Sequence, residues 1–519
     1  MNIRRWILIV CVAMAQNNAF SLDMEGDGGK TPPAFSKAVN DSVHQDMLTV
    51  QPLLTSERAG ERHPRPWRAA LEVTGINLLV HGFDRFVMGE EFAKVNLHTI
   101  HENFKNGFVW DNDQFSTNLF AHPYHGNLYY TAARSNGLSF FQSAPYALGG
   151  SLMWEFFGEI EPPAINDVLA TTFGGICIGE ISHRISDLLL DDRKRGFKRF
   201  LHEFAATVIC PMKGLNRMID GDAWRVRRFD SDSGPAGGRT DGSAFPVNLS
   251  LSLGNRYLAD DGALFRGEHN PYLNLSLEYG DPIDDDNNKP YDYFTLDATL
   301  GFSANQPLFN GVHLLGRIWS ATSYASPLVN ATFGIYQHFN YYDSKPVKEG
   351  SSQTPYRISE AASVGPGVIY QFPVAGSLKS LEQRIFFDVI LLGGTKSDYY
   401  NIIDRDYNMG SGFSIKSFTT LKFRHVAQFM FKTDYYRIFT WKGYEGKDLT
   451  VVDPLFLNAQ GDRGNAELLV LNPRMKFYMK NGLSIDLYGS YYVRHTRYKY
   501  HTNVRARTFE VRLGLSYAL

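Results

Sequence analysis

Phe509-Glu510-Val511-Arg512-Leu513-Gly514-Leu515-Ser516-Tyr517-Ala518-Leu519 alternates without a break. Phe509, Val511, Leu513, Leu515, Tyr517 and Leu519 share one face, and Glu510, Arg512, Gly514, Ser516 and Ala518 share the other. Successive side chains of a strand point to opposite faces, so this segment reads as a strand with one oily side and one polar or small side. Working back along the chain, the same period recurs. Val247, Leu249, Leu251 and Leu253 alternate with Asn248, Ser250 and Ser252; Leu273, Leu275, Leu277 and Tyr279 alternate with Asn274, Ser276 and Glu278. Phe294, Leu296, Ala298, Leu300 and Phe302 repeat the pattern. Further candidates lie at 312–324, 332–342, 363–372, 383–392, 413–423, 426–440, 467–479 and 483–495. The total is eleven or twelve strands, and the even numbers favoured by single-chain outer-membrane barrels select twelve. A closed barrel leaves no unpaired backbone edge in hydrocarbon. Tyr291, Tyr341, Tyr342, Tyr435, Tyr436, Tyr491 and Tyr492, at segment ends, suit interfacial girdles.

Composition agrees with this reading. Of 519 residues, 14% are aromatic, yet the mean hydropathy is −0.26. Barrel strands dilute apolar residues one in two, whereas helical membrane proteins do not. The net charge of −2 carries no basic bias and speaks against nucleic acid as a partner.

The chain begins Met1-Asn2-Ile3-Arg4-Arg5, followed by an apolar run to Ala15. Ala13-Met14-Ala15 offers a small-x-small cleavage pattern, so residues 1–15 are expected to be a leader removed near Gln16. Residues 16–66, with Gly26-Asp27-Gly28-Gly29 and Pro32-Pro33, read as a tether too poor in apolar residues to fold alone. Cys11 falls in the leader; Cys177 and Cys210 remain, to pair or to stay as buried thiols.

Between 67 and 222 the period changes. Segments 67–88, 139–159, 164–190 and 196–219 carry helical spacing, with polar interruptions that set them apart from inner-membrane spans. Gly175 and Gly179 fall on one helix stripe and form a small-xxx-small surface for close packing. Between them and the strands, residues 223–244 read as a Gly/Ser/Asp-rich linker.

Within the helical half, Trp110-Asp111-Asn112-Asp113, His122-Pro123-Tyr124-His125-Gly126, Ala133-Arg134-Ser135-Asn136-Gly137, Gly150-Ser151-Leu152-Met153-Trp154-Glu155, Ile165-Asn166-Asp167 and Gly179-Glu180-Ile181 are dense in polar and aromatic types. In these motifs residues 67–222 resemble the domain of unknown function 3943 of bacterial envelope proteins. The resemblance implies location and kinship; the family has no established reaction to carry over.

From the residues alone, His122 and His125 could present two imidazoles to a metal or, with Glu155 or Asp167, act as general acid and base. Glu180 and His183 share a helix face, which is half of a carboxylate–histidine metal site. The blander reading is a structural polar network of Asp111, Asp113, Arg134, Glu155, Asn166, Asp167, Glu180, His183 and Arg184. No Gly-x-Ser-x-Gly elbow is present.

The expected architecture is therefore α+β: a small-residue-rich helical domain, then an antiparallel transmembrane β-barrel from 245 to 519, with the helices inside or against the barrel as a plug. Three function classes fit. One is an outer-membrane barrel of structural or transport type, with unassigned cargo and lipid as its surroundings. The second is an envelope enzyme acting on lipid or glycan. The third is a soluble periplasmic binding module for a small molecule.

Overall fold

The computed structural model describes residues 63–110, 113–226, 247–283, 289–321, 324–325, 329–350, 352–373, 378–402, 405–424, 426–445, 448–451 and 461–518. The expected leader, the tether up to residue 62, Asp111 and residues 227–246, which hold most of the expected linker, lie outside the described residues.

Twelve long strands follow the helices: β1 (Val247–Asp260), β2 (Glu268–Tyr279), β3 (Phe294–Gly301), β4 (Phe309–Ser320), β5 (Asn330–Asp343), β6 (Arg357–Pro373), β7 (Leu378–Lys396), β8 (Tyr407–Phe423), β9 (Ala427–Thr440), β10 (Gly464–Tyr478), β11 (Leu483–Tyr498) and β12 (Val504–Ala518). Each pairs antiparallel with its sequence neighbours, and β1 pairs with β12, Leu253 opposite Leu515. The sheet is closed. Among the described residues, the two-residue segment Tyr324–Ala325 adds to it, pairing with the start of β5.

Bonds between non-adjacent strands fix which face looks inward. Tyr342 Oη on β5 donates to Asp434 Oδ2 on β9 (2.8 Å), and Arg384 Nη2 on β7 donates to Glu278 Oε1 on β2 (2.6 Å). Arg474 on β10 reaches Asp297 on β3 (3.5 Å). The opposite face carries the apolar half of the alternation. Leu513, Leu515, Leu487, Phe387, Val389 and Ile415 are exposed there. A soluble sheet would bury such a face; an apolar outer belt around a polar lumen is the membrane-barrel arrangement.

The tyrosine girdle expected from sequence is corrected on this geometry. Tyr342, Tyr436 and Tyr492 are buried on the lumen side, because adjacent strand residues cannot share a face. Tyr291 and Tyr341 are buried too, for a different reason.

The helices are α1 (Pro66–Phe83), α2 (Leu97–Asn106), α3 (His122–Ser135), α4 (Phe140–Phe157), α5 (Ile165–Leu169), α6 (Gly175–Leu189), α7 (Gly196–Ile209) and α8 (Pro211–Ile219). Single π-turns extend α1 (Asp84–Met88), lead into α3 (Thr117–Ala121) and join α5 to α6 (Ala170–Gly174). Ser139 starts α4 with a reciprocal capping box to Gln142. None of the described helices is long and apolar enough to cross a membrane.

These helices do not plug the lumen. Leu277, Leu296, Leu314 and Tyr341 each sit one residue from a lumen-facing neighbour (Glu278, Asp297, His313 and Tyr342), so they point outward. They form one apolar cluster with Phe115, Leu119, Phe140, Ile176 and Ile181 of the helical half. Phe115 packs on Tyr341 at 5.2 Å, and Phe120 on Phe309 at 5.0 Å. Gln337 Nε2 donates to the Phe173 carbonyl in the π-turn before α6 (2.8 Å). The contacts run from one rim, where β4 begins and β5 ends, to the other, where Phe140 meets Tyr291 just before β3. The helical domain thus lies along the outside of the wall. Its polar groups bond to one another, and the lumen is already occupied by the barrel's own ion-paired side chains.

Candidate functional site

The helical domain holds several polar groupings, among them Arg199 and Arg217 paired with Asp192 and Glu203; three others bear on the site. The first is built on a carboxylate. Glu180 on α6 is fully buried and receives four bonds: Oε2 from Arg134 Nε (2.7 Å) and Tyr130 Oη (2.9 Å), Oε1 from Arg184 Nε (2.9 Å) and Arg134 Nη2 (3.1 Å). Arg184 continues to the Pro290 carbonyl, tying the network to the barrel (2.6 Å). The approach that makes this possible is set by glycines. A Cβ on Gly175 would stand 2.6 Å from the Gly126 Cα, and one on Gly179 would stand 2.7 Å from the Tyr130 ring. Gly126, the last residue of the His122–Gly126 motif, is the partner that sequence reasoning missed.

The second lies where α3 begins. His122 Nε2 is 3.7 Å from Asp167 Oδ1 and 3.8 Å from Asp113 Oδ2, and Asn166 Nδ2 donates to Asp167 (2.7 Å). Glu155 Oε2 accepts from the Ala164 amide (2.7 Å). His125, one turn on, takes another direction. Its Nε2 is 3.0 Å from Tyr129 Oη, which donates to Asn77 of α1, and its ring packs edge-on to Trp154 at 5.3 Å. The two histidines therefore do not converge on one ligand. Among the described residues, no group of three or more His, Cys, Asp or Glu is placed to hold a metal ion.

The third joins both ends of the domain. Asp220, capping α8, accepts from Arg65 (2.8 and 3.0 Å) and Arg68 (2.5 Å). Burial pushes its carboxyl up, but hydrogen bonds from Arg65 and Arg68 outweigh that and hold it down at about 2. His183, expected beside Glu180 as a ligand pair, instead approaches Asp187 (3.8 Å) and Lys213. Cys177 and Cys210 are both free and buried.

Residues 107–212 match the domain of unknown function DUF3943. The DUF3943 segment thus includes α3 to α7 and the residues of the first two groupings, His122, Glu155, Asp167 and Glu180 among them. No curated protein matches the chain.

The barrel against which the DUF3943 segment packs has a site of its own. A lumen cavity is lined by Asp297, His313, Lys432, Arg474, Tyr488 and Arg512, with amides from Asn274 and Asn472. Arg474 lies over the Tyr488 ring (5.1 Å), and Arg512 Nη1 donates across the lumen to Thr299 Oγ1 (3.0 Å). Beside the cavity, Lys416 Nζ pairs with Glu360 (2.9 Å) and Asp388 (2.7 Å), and His338 Nδ1 is 2.9 Å from Asp388. Of these, sequence alternation placed Asn274, Asp297 and Arg512 on the polar face of their strands, without showing what they meet.

Among solved structures the chain is similar to the NanC porin, at 12% identity and a TM-score of 0.27, over 52% of this chain and 100% of that one. It is also similar to the KdgM porin (9%, 0.22, 52% and 99%) and the CymD monoaromatic hydrocarbon channel (9%, 0.21, 52% and 87%). The barrel assignment itself rests on the strand pairing and the outer belt.

Proposed function

We propose that this protein is an outer-membrane barrel of transport type, whose passage is the polar lumen and whose cargo is a small polar molecule. The observation that carries this reading is the inner wall: a closed ring of strands with charged side chains meeting across it, Arg474 to Asp297 and Arg384 to Glu278. Such pairs narrow the lumen while leaving it wettable. The short connections β6–β7, β8–β9 and β10–β11 lie at the rim where β1 begins, which supports reading that rim as periplasmic. Export through a leader cut near Gln16 belongs to this reading, and sequencing the mature N-terminus tests it.

The experiment is conductance of the full chain in planar bilayers. A small conductance is expected, rising when Arg474→Ala and Asp297→Ala are combined to open the crossing. Absence of ion or solute flux through both proteins would overturn the transport reading.

A second reading has one observation in its favour. His122 stands between two carboxylates, Asp113 and Asp167, an arrangement suited to general acid–base work on lipid or glycan. His122→Gln separates the two: lost conversion of labelled envelope lipid with unchanged conductance supports an enzyme, and unchanged lipid turnover removes it.

A further inference from the structure

The helical domain is inside-out. On α1 the residues turned into the domain are Ala69, Val73 and Asn77, whereas Trp67, Leu71, Leu78, Leu79, Phe86 and Val87 point away from it, each more than two-thirds exposed. Between Glu72 and His81 the helix carries no charge. Its charges gather at the two ends: Arg68 and Glu72 bond to each other at one, and Arg85 donates to the Val95 carbonyl (3.0 Å) at the other. Meanwhile Asn118, Asn127, Thr131, Glu155, Asp167 and Glu180 are buried. A domain bathed in water carries the reverse distribution.

Position supplies the second observation. The domain stands against the outward face of β2–β5, with contacts from rim to rim, and reaches Val247 at the start of β1, Tyr407 at the start of β8 and Trp441 just after β9. On the other strands that same face is the exposed apolar belt of Leu513, Leu515, Leu487 and Phe387. The helices therefore occupy the place that lipid occupies elsewhere around the ring, and their far side continues the belt. The 18 residues of α1 are about 27 Å long at 1.5 Å per residue. That matches the apolar band of roughly 25 Å on outer-membrane barrels.

We infer that the helical domain is embedded in the bilayer beside the barrel, and that the outer stripe of α1 is covered by lipid acyl chains. No helix has to cross alone. The bundle hides its polar groups against itself, the barrel wall backs it, and only the apolar stripe meets hydrocarbon. Arg68 and Arg85 mark the levels of the two interfaces.

This rests on the barrel itself being in a membrane, so the test carries a control for that. Cysteines are placed singly at Leu78, Leu79, Leu71 and Leu513 in the full chain, with Cys11, Cys177 and Cys210 replaced by alanine. Each is labelled with a nitroxide in phospholipid vesicles, and collision with oxygen and with a water-soluble nickel chelate is measured. The expected result is an oxygen-to-chelate ratio at Leu78 and Leu79 as high as at Leu513 on the barrel belt, falling at Leu71 toward the interface. High chelate collision at Leu78 and Leu79, with Leu513 in lipid, places α1 in water and overturns the inference alone. Low collision with both reagents means protein covers the stripe, a second copy or another segment of this chain, and also overturns it. Chelate collision at Leu513 overturns the membrane reading beneath it.

Discussion

Replacing Glu180 with alanine should unfold the helical domain well before the barrel. The carboxylate accepts four bonds, three of them from the guanidiniums of Arg134 and Arg184, and its own side chain is fully buried. Its removal leaves two largely buried cations and a buried phenol facing one another. Breaking a buried pair by deleting one partner costs about 3–5 kcal/mol. With a urea dependence of about 1–3 kcal/mol per molar, that lowers the unfolding midpoint by roughly 2 M. The assay is a urea titration of the full chain in detergent micelles, followed at 222 nm for helix. Heat-modifiable migration on gels reports the barrel separately. Glu180→Gln keeps an acceptor and should fall between the two. Replacing Glu180, Arg134 and Arg184 together with apolar residues of similar size should recover most of the loss, because an apolar trio needs no counter-charge. A midpoint for Glu180→Ala within error of the parent would refute the argument, since the network would then hold nothing together.

Other perturbations separate contact from propensity. Gly175→Ala drives a methyl into the Gly126 backbone and should cost about 1–3 kcal/mol in the same titration. Gly75→Ala has nothing within 4 Å and should instead gain about 0.5–1 kcal/mol of helix propensity. Equal effects of the two would remove the close-packing account. Asp220 carries the pH dependence. Its folded carboxyl is lowered, so the Arg65–Asp220–Arg68 clamp contributes fully above the ordinary value of 3.8 and is lost as pH falls to about 2. The stability gap between the parent and Asp220→Asn should be present at pH 6 and close across that window. A gap that does not change with pH would show that the charge does not act.

The barrel was legible because its signal is local. Each strand, read alone, shows which residues share a face, as 509–519 and 247–253 do, and the run of such segments with the even-number preference gives the count. What touches the oily face was not legible. Leu296 and Leu513 have the same pattern, yet one lies under helices and the other is exposed, and only long-range contacts separate them. Whether the helices lie inside or against the barrel was not legible either, since sequence does not show that the polar groups of such a domain point at each other. The helix around His122 was hidden for a related reason. Histidine, proline, asparagine and tyrosine are indifferent or poor helix formers, and with polar residues facing inward the usual apolar stripe is missing. Arg134, Glu180 and Arg184 were named as network members and are found bonded together. Asp167, named with them, stands with His122 in a separate grouping, and Glu155 accepts from the Ala164 amide.

The part of the wall that the helices leave bare includes the line where the first and last strands join. Along β1 and β12, Leu251, Leu253, Leu513, Leu515 and Tyr517 are open on the outside. A ring of this kind can therefore zip shut at that join without dislodging its helical neighbour. The same join is the one stretch through which a half-built sheet could stay open to assembly machinery while the helices were already in their berth. Order of assembly, helices docked first or ring sealed first, is left free by the architecture.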